Sequence, residues 1–65
     1  MTLEEQRRLR HLIARFEGTL HSHVEVVSAE AIDNGQCKVI AYLKCWKYAY
    51  IFKGDGIVKS WRVIA

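Results

Sequence analysis

Hydrophobic and polar positions along this 65-residue chain change their spacing once, from a helical period to a period of two. In the first stretch Leu9, Leu12, Ile13 and Phe16 fall on one face at 3.6-residue spacing, and Arg7, Arg8, Arg10, His11 and Arg15 fall on the opposite side. The pattern predicts a helix over 2–17. Thr2 and Glu5 fit a capping box, in which a hydroxyl and a carboxylate each satisfy a free backbone N–H. Gly18 is a natural C-terminal stop. An isolated helix this short is marginal in water, so its apolar stripe must dock on something else.

After Gly18 the chain reads as strands. Residues 19–32 form the expected first strand, closed by Asn34-Gly35, a pair suited to a two-residue hairpin turn with positive φ at both central positions. That loop places Val26 opposite Leu43, Val24 opposite Cys45, Glu25 opposite Lys44 and His23 opposite Trp46. Residues 37–53 contain no Gly or Pro and are dense in β-branched and aromatic residues, a strand composition. Their seventeen residues would span about 56 Å if straight, far beyond an ordinary strand. The second strand, 36–53, is therefore expected to bend or break near 46–49, with a bulge as the device. Gly54-Asp55 then makes a second hairpin, with Phe52 opposite Ile57 and Tyr48 opposite Trp61, and a third strand follows over 57–64. The expected fold is a single α+β domain, an N-terminal helix packed on a strongly bent antiparallel β-meander of three strands, or four if the long one breaks.

Side chains alternate along a strand, so a continuous second strand assigns two faces. One holds Val24, Val26, Cys37, Val39, Ala41, Leu43, Cys45, Ala49 and Ile51, small and aliphatic, suited to the helix. The other holds Ala29, Ala31, Ile40, Tyr42, Trp46, Tyr48, Tyr50, Phe52, Ile57 and Trp61, with Lys38, Lys44 and Lys59 among them. One helix covers one face only. The aromatic face is then either curled inward in a small barrel or an interaction surface, since large exposed apolar patches are rare on monomers. Tyr and Trp rimmed by Lys is an interface composition. Tyr42, Trp46, Tyr48, Tyr50, Phe52 and Trp61 are accordingly the candidate partner or dimer interface.

Composition sharpens this. Half the residues are hydrophobic and 26% are charged, the balance of a folded chain. A domain this small is marginal alone and commonly relies on a disulfide, a metal or a second subunit. The two cysteines lie eight residues apart, about 26 Å along a strand, too far for a bridge, so two buried free thiols are expected. The polar N-terminus and the absence of a long apolar run point to the cytoplasm and away from membranes. The net charge of +3 is uneven: residues 1–17 carry +1, residues 18–35 carry −3 and residues 36–65 carry +5.

These residues offer several chemistries. Arg7, Arg8, Arg10 and Arg15 make an electropositive helix face, either a solvated surface or a contact for an acidic partner. His21, His23 and Glu25 would share a strand face, which makes His21 and His23 weak metal candidates, but Cys37 and Cys45 would face away and could not complete a zinc site. Gly54-Asp55-Gly56 is a hairpin turn without the following helix that a phosphate loop needs. No paired carboxylates or nucleophile–base set stands out, so no enzyme, cofactor or metal is expected. The expectation is a small non-catalytic protein-binding module, a homodimer, acting sterically as an inhibitor or adaptor of an unidentified protein. The alternative is a nucleic-acid-binding module that stacks bases on the aromatic and basic face.

Overall fold

The computed structural model describes residues 1–64. A helix, α1 (Leu3–Glu17), is followed by four strands, β1 (Val24–Ala31), β2 (Gln36–Leu43), β3 (Trp46–Lys53) and β4 (Gly56–Arg62). The strands form one open antiparallel sheet in the order β1-β2-β3-β4, and α1 packs on one face of it. The architecture is α+β with a four-strand meander.

The ends of α1 follow from local chemistry. The Thr2 hydroxyl accepts the Glu5 N–H at 3.1 Å. Gly18 adopts the left-handed conformation, φ 70°, and the Thr19 N–H returns to the Ala14 carbonyl at 2.9 Å, which closes the helix in a Schellman motif. Leu9, Ile13 and Ala14 are buried against Val24, Val26, Val39, Ala41, Tyr50 and Phe52. Each fully buried Ile, Leu, Val or Phe removes enough apolar surface from water to contribute about 1.5–3 kcal/mol. Phe16 departs from the expected stripe. It stays half outside, with its ring edge-on to Tyr50 at 6.3 Å.

The first strand begins later than 19. Residues His21–His23 form a short 3-10 turn, tied by the His23 N–H to the Leu20 carbonyl, and extended pairing starts at Val24. The Asn34-Gly35 turn is present with φ 63° and 68°, but its loop has three residues, because Ile32 pairs with Gln36. The partners therefore differ from those expected: Ala31 faces Cys37 and Ala29 faces Val39. A bulge at Val27 then shifts the pairing once more, so that Val26 faces Ala41 and Val24 faces Leu43. The two shifts cancel in parity for Val24 and Val26, which keep the helix side. Ala29 and Ala31, beyond the bulge, move to the helix side as well.

The long stretch does not bend near 46–49. It reverses completely at Lys44-Cys45, a two-residue turn with Leu43 opposite Trp46. Lys44 takes φ 62°, a conformation that L side chains avoid, and its N–H bonds to the His23 carbonyl at 3.2 Å. Because side chains alternate, this reversal exchanges the faces of everything after it. Tyr48, Tyr50 and Phe52 turn toward the helix, and Ala49 and Ile51 turn away. The Gly54-Asp55 turn closes as expected, with Phe52 opposite Ile57. A bulge at Val58 then advances the register by one, so Trp61 faces Ala49 and Arg62 faces Tyr48.

Candidate protein-binding surface

The face of the sheet away from α1 is built from three cross-strand rows. Glu25, Tyr42, Lys47 and Val63 form the first, Ser28, Ile40, Ala49 and Trp61 the second, and Glu30, Lys38, Ile51 and Lys59 the third. No other element of the described chain lies over these rows. Ala49 is nevertheless fully buried and Ile51 nearly so, because the broad side chain of Trp61 stands opposite the smallest one available. The Trp61 indole is flanked by the Lys59 ammonium at 5.6 Å and the Lys38 ammonium at 5.8 Å, in cation–π range. Trp61 keeps 38% of its surface exposed and Tyr42 keeps 37%, so the aromatic anchors are half covered and half available.

Charge is ordered across this face. β1 contributes Glu25 and Glu30 and no base, while β2, β3 and β4 contribute Lys38, Lys47 and Lys59. Among the described residues the one ion pair is Arg8–Asp55, so these side chains make none there.

The six residues expected to share an interface do not share a surface. Tyr42 and Trp61 lie on the uncovered face. Tyr50 and Phe52 are 0% and 2% exposed in the core under α1, and Tyr48 is half-buried beside them. This placement corrects the expected aromatic face, and its cause is the reversal at Lys44-Cys45. Trp46 is 52% exposed, on the helix side of the sheet beyond the helix, where the Arg62 guanidinium stacks on its ring at 4.5 Å. Trp46, Arg62, Tyr42, Cys45, Val63 and Ile64 line a hollow of about 450 Å³ at that end of the sheet.

The helix arginines also divide. Arg7 and Arg10 line a groove of about 460 Å³ between α1 and β1, with Leu3, Ser22 and Glu25, and the Arg10 Nε there has no hydrogen-bond partner. Arg8 is engaged with Asp55 in the β3–β4 turn, and Arg15 lies toward the same turn. The helical repeat explains the split, since residues three apart share a side and neighbours do not. Gln6 donates to the Val26 carbonyl at 3.2 Å and ties the start of α1 to β1.

His21 and His23 sit in the 3-10 turn, so the strand face they were expected to share with Glu25 does not form. His21 stacks on His11 at 4.4 Å, and His23 Nδ1 lies 3.3 Å from the Thr19 hydroxyl. No group of three potential metal ligands occurs among the described residues. Cys37 and Cys45 are free thiols at opposite ends of β2, Cys37 half-buried and Cys45 exposed at the turn rather than buried. No helix among the described residues is long and apolar enough to cross a membrane.

The sequence missed the acidic column. Glu30 faces the lysines only once its pairing with Lys38 is known, and the signal for it was the match of Ala29 with Val39 that a three-residue loop permits. Comparison with known proteins finds no matching family model, no similar curated protein and no similar solved structure.

Proposed function

We propose that this protein is a small non-catalytic protein-binding module that works as a homodimer and acts sterically, as an inhibitor or adaptor that occupies a partner's surface. The observation that supports this most is the uncovered sheet face, where Trp61, Tyr42 and Ile40 stand half-exposed among ordered charges. Aromatic residues partly buried inside a charged rim are the usual anchors of a protein interface. In this reading the uncovered face is the seam between two copies. The partner meets Arg7 and Arg10 at the groove between α1 and β1, where positive charge favours an acidic surface.

The test is the solution mass by light scattering, for the natural chain and for Trp61→Ala, with circular dichroism to confirm the fold. The expected result is twice the chain mass of 7.5 kDa for the natural protein and the single-chain mass for the variant. A folded variant that keeps the natural mass removes the uncovered face from the reading.

One observation favours nucleic acid as a second reading: Trp61 lies between two ammonium groups, an arrangement suited to stacking a base while lysines follow phosphate. Glu25 and Glu30 on the same face oppose it. Tryptophan fluorescence titrated with a single-stranded oligonucleotide decides the matter. Quenching that weakens steeply as salt rises supports this reading, and no quenching at low salt removes it.

A further inference from the structure

We infer that two copies of this chain pack uncovered face to uncovered face about a twofold axis parallel to the strands, with Glu30 of each copy opposite Lys59 of the other. The inference rests on the homodimer reading above and adds to it the direction of the axis and the pair of charges that meet across the seam. Its basis is a self-complementary charge pattern. Closed twofold pairs are the commonest soluble assemblies, and a twofold interface must match its own surface.

Two in-plane axes bring the face onto a second copy with the strands of both aligned, one of the two usual ways in which sheets pack face to face. An axis parallel to the strands lays β1 of one copy over β4 of the other and β2 over β3, and leaves each row facing the same row. Glu30 then meets Lys59, Lys38 lies over Ile51, Ile40 over Ala49, and Tyr42 over Lys47. Both copies of the Glu30–Lys59 contact are attractive, and the lysine stems of one copy lie over apolar groups of the other. An axis across the strands instead lays β1 over β1 and exchanges the first and third rows. Glu25 of each copy then meets Glu30 of the other, two like-charge contacts. The acidic column on β1 therefore selects the axis. The carboxylate of Glu30 makes no ion pair within the described chain, so it is available for this contact.

A charge-exchange experiment tests the arrangement. Glu30→Lys and Lys59→Glu are made separately, and each is weighed by light scattering over a dilution series, alone and as an equimolar mixture. Both substitutions are on exposed positions, and circular dichroism confirms the fold. Each variant alone places two like-charge contacts in its own dimer and should dissociate about tenfold to a hundredfold more readily than the natural chain. In the mixture every contact is again Lys to Glu, so the mass should return to that of the natural dimer.

Two weak variants whose mixture stays weak overturn the inference, because the charges then act within one chain. Variants that dimerise like the natural protein, while Trp61→Ala does not, overturn the axis and leave the uncovered face as the seam. A natural protein that remains a single chain throughout overturns the second copy as occupant. The face is then assigned to a foreign protein or to nucleic acid by the fluorescence titration.

Discussion

The hydroxyl of Tyr50, on β3, donates to the carboxylate of Glu17, the last residue of α1, across 3.3 Å. A side chain from the middle of the sheet thus reaches under the helix and fastens its C-terminal end. The contact ties the two layers together and places a titratable phenol inside the core.

Burial above all, and then the neighbouring Glu17 charge, hold the Tyr50 hydroxyl in its protonated form far above the ordinary tyrosine value. In the unfolded chain the same group loses its proton near pH 10 (about 10 for a free tyrosine). The unfolded state then binds fewer protons than the folded one, so stability falls as pH rises above that point, while below it the contribution of Tyr50 is fully present and does not change with pH. Chemical denaturation between pH 8 and 11.5 should show this loss in the natural protein. Tyr50→Phe should cost about 1 kcal/mol at neutral pH and show a shallower alkaline decline. Equal alkaline slopes in the two proteins count against the contact.

Ile13 and Phe16 share the apolar stripe of α1, yet Ile13 is fully buried and Phe16 is half outside. Ile13→Val should cost about 0.5–1.5 kcal/mol and Ile13→Ala about 2–5 kcal/mol, enough to unfold a domain of this size. Phe16→Ala should cost clearly less than Ile13→Ala. Urea denaturation with a common m-value measures all three, and a reversed order contradicts the packing of α1.

Lys44 holds positive φ in the β2–β3 turn, whereas Gly54 fills the corresponding first position of the β3–β4 turn. Glycine adopts this conformation without a Cβ penalty. Lys44→Gly should therefore stabilise the protein by about 0.5–1 kcal/mol, the relieved strain being partly offset by the greater entropy of glycine in the unfolded chain. Thermal melts compare the two, and a lower melting temperature for the variant contradicts the turn.

The Arg8–Asp55 pair joins α1 to the β3–β4 turn at the surface, with both side chains largely in solvent. Asp55→Asn should change stability by less than about 1 kcal/mol, and the difference should shrink as salt rises toward 1 M. A larger effect that salt does not reduce would show the pair to be structural rather than screened.

Much of this architecture is legible in the sequence. The helix limits came from Thr2 and Gly18, because a cap hydroxyl and a left-handed glycine act on backbone groups within one turn. The Asn34-Gly35 and Gly54-Asp55 turns were legible for the same reason, as was the meander order that short loops impose. The excessive length of the stretch from Cys37 to Lys53 showed that it could not be one straight strand.

The position of the break was decided by tertiary structure. Neither Lys44 nor Cys45 is a turn residue, and the positive φ at Lys44 is tolerated because the flanking strands and the bond to His23 hold it there. A strand face depends on parity, so that one turn carried Tyr48, Tyr50 and Phe52 into the core and left Tyr42 and Lys47 outside, while the bulge at Val58 turned Lys59 and Trp61 outward. The bulges at Val27 and Val58 completed the pattern by shifting one strand against its neighbour. Local chemistry set the ends of α1 and the Asn34-Gly35 and Gly54-Asp55 turns, whereas long-range strand pairing set the break at Lys44-Cys45 and which side chains face the helix and which remain exposed.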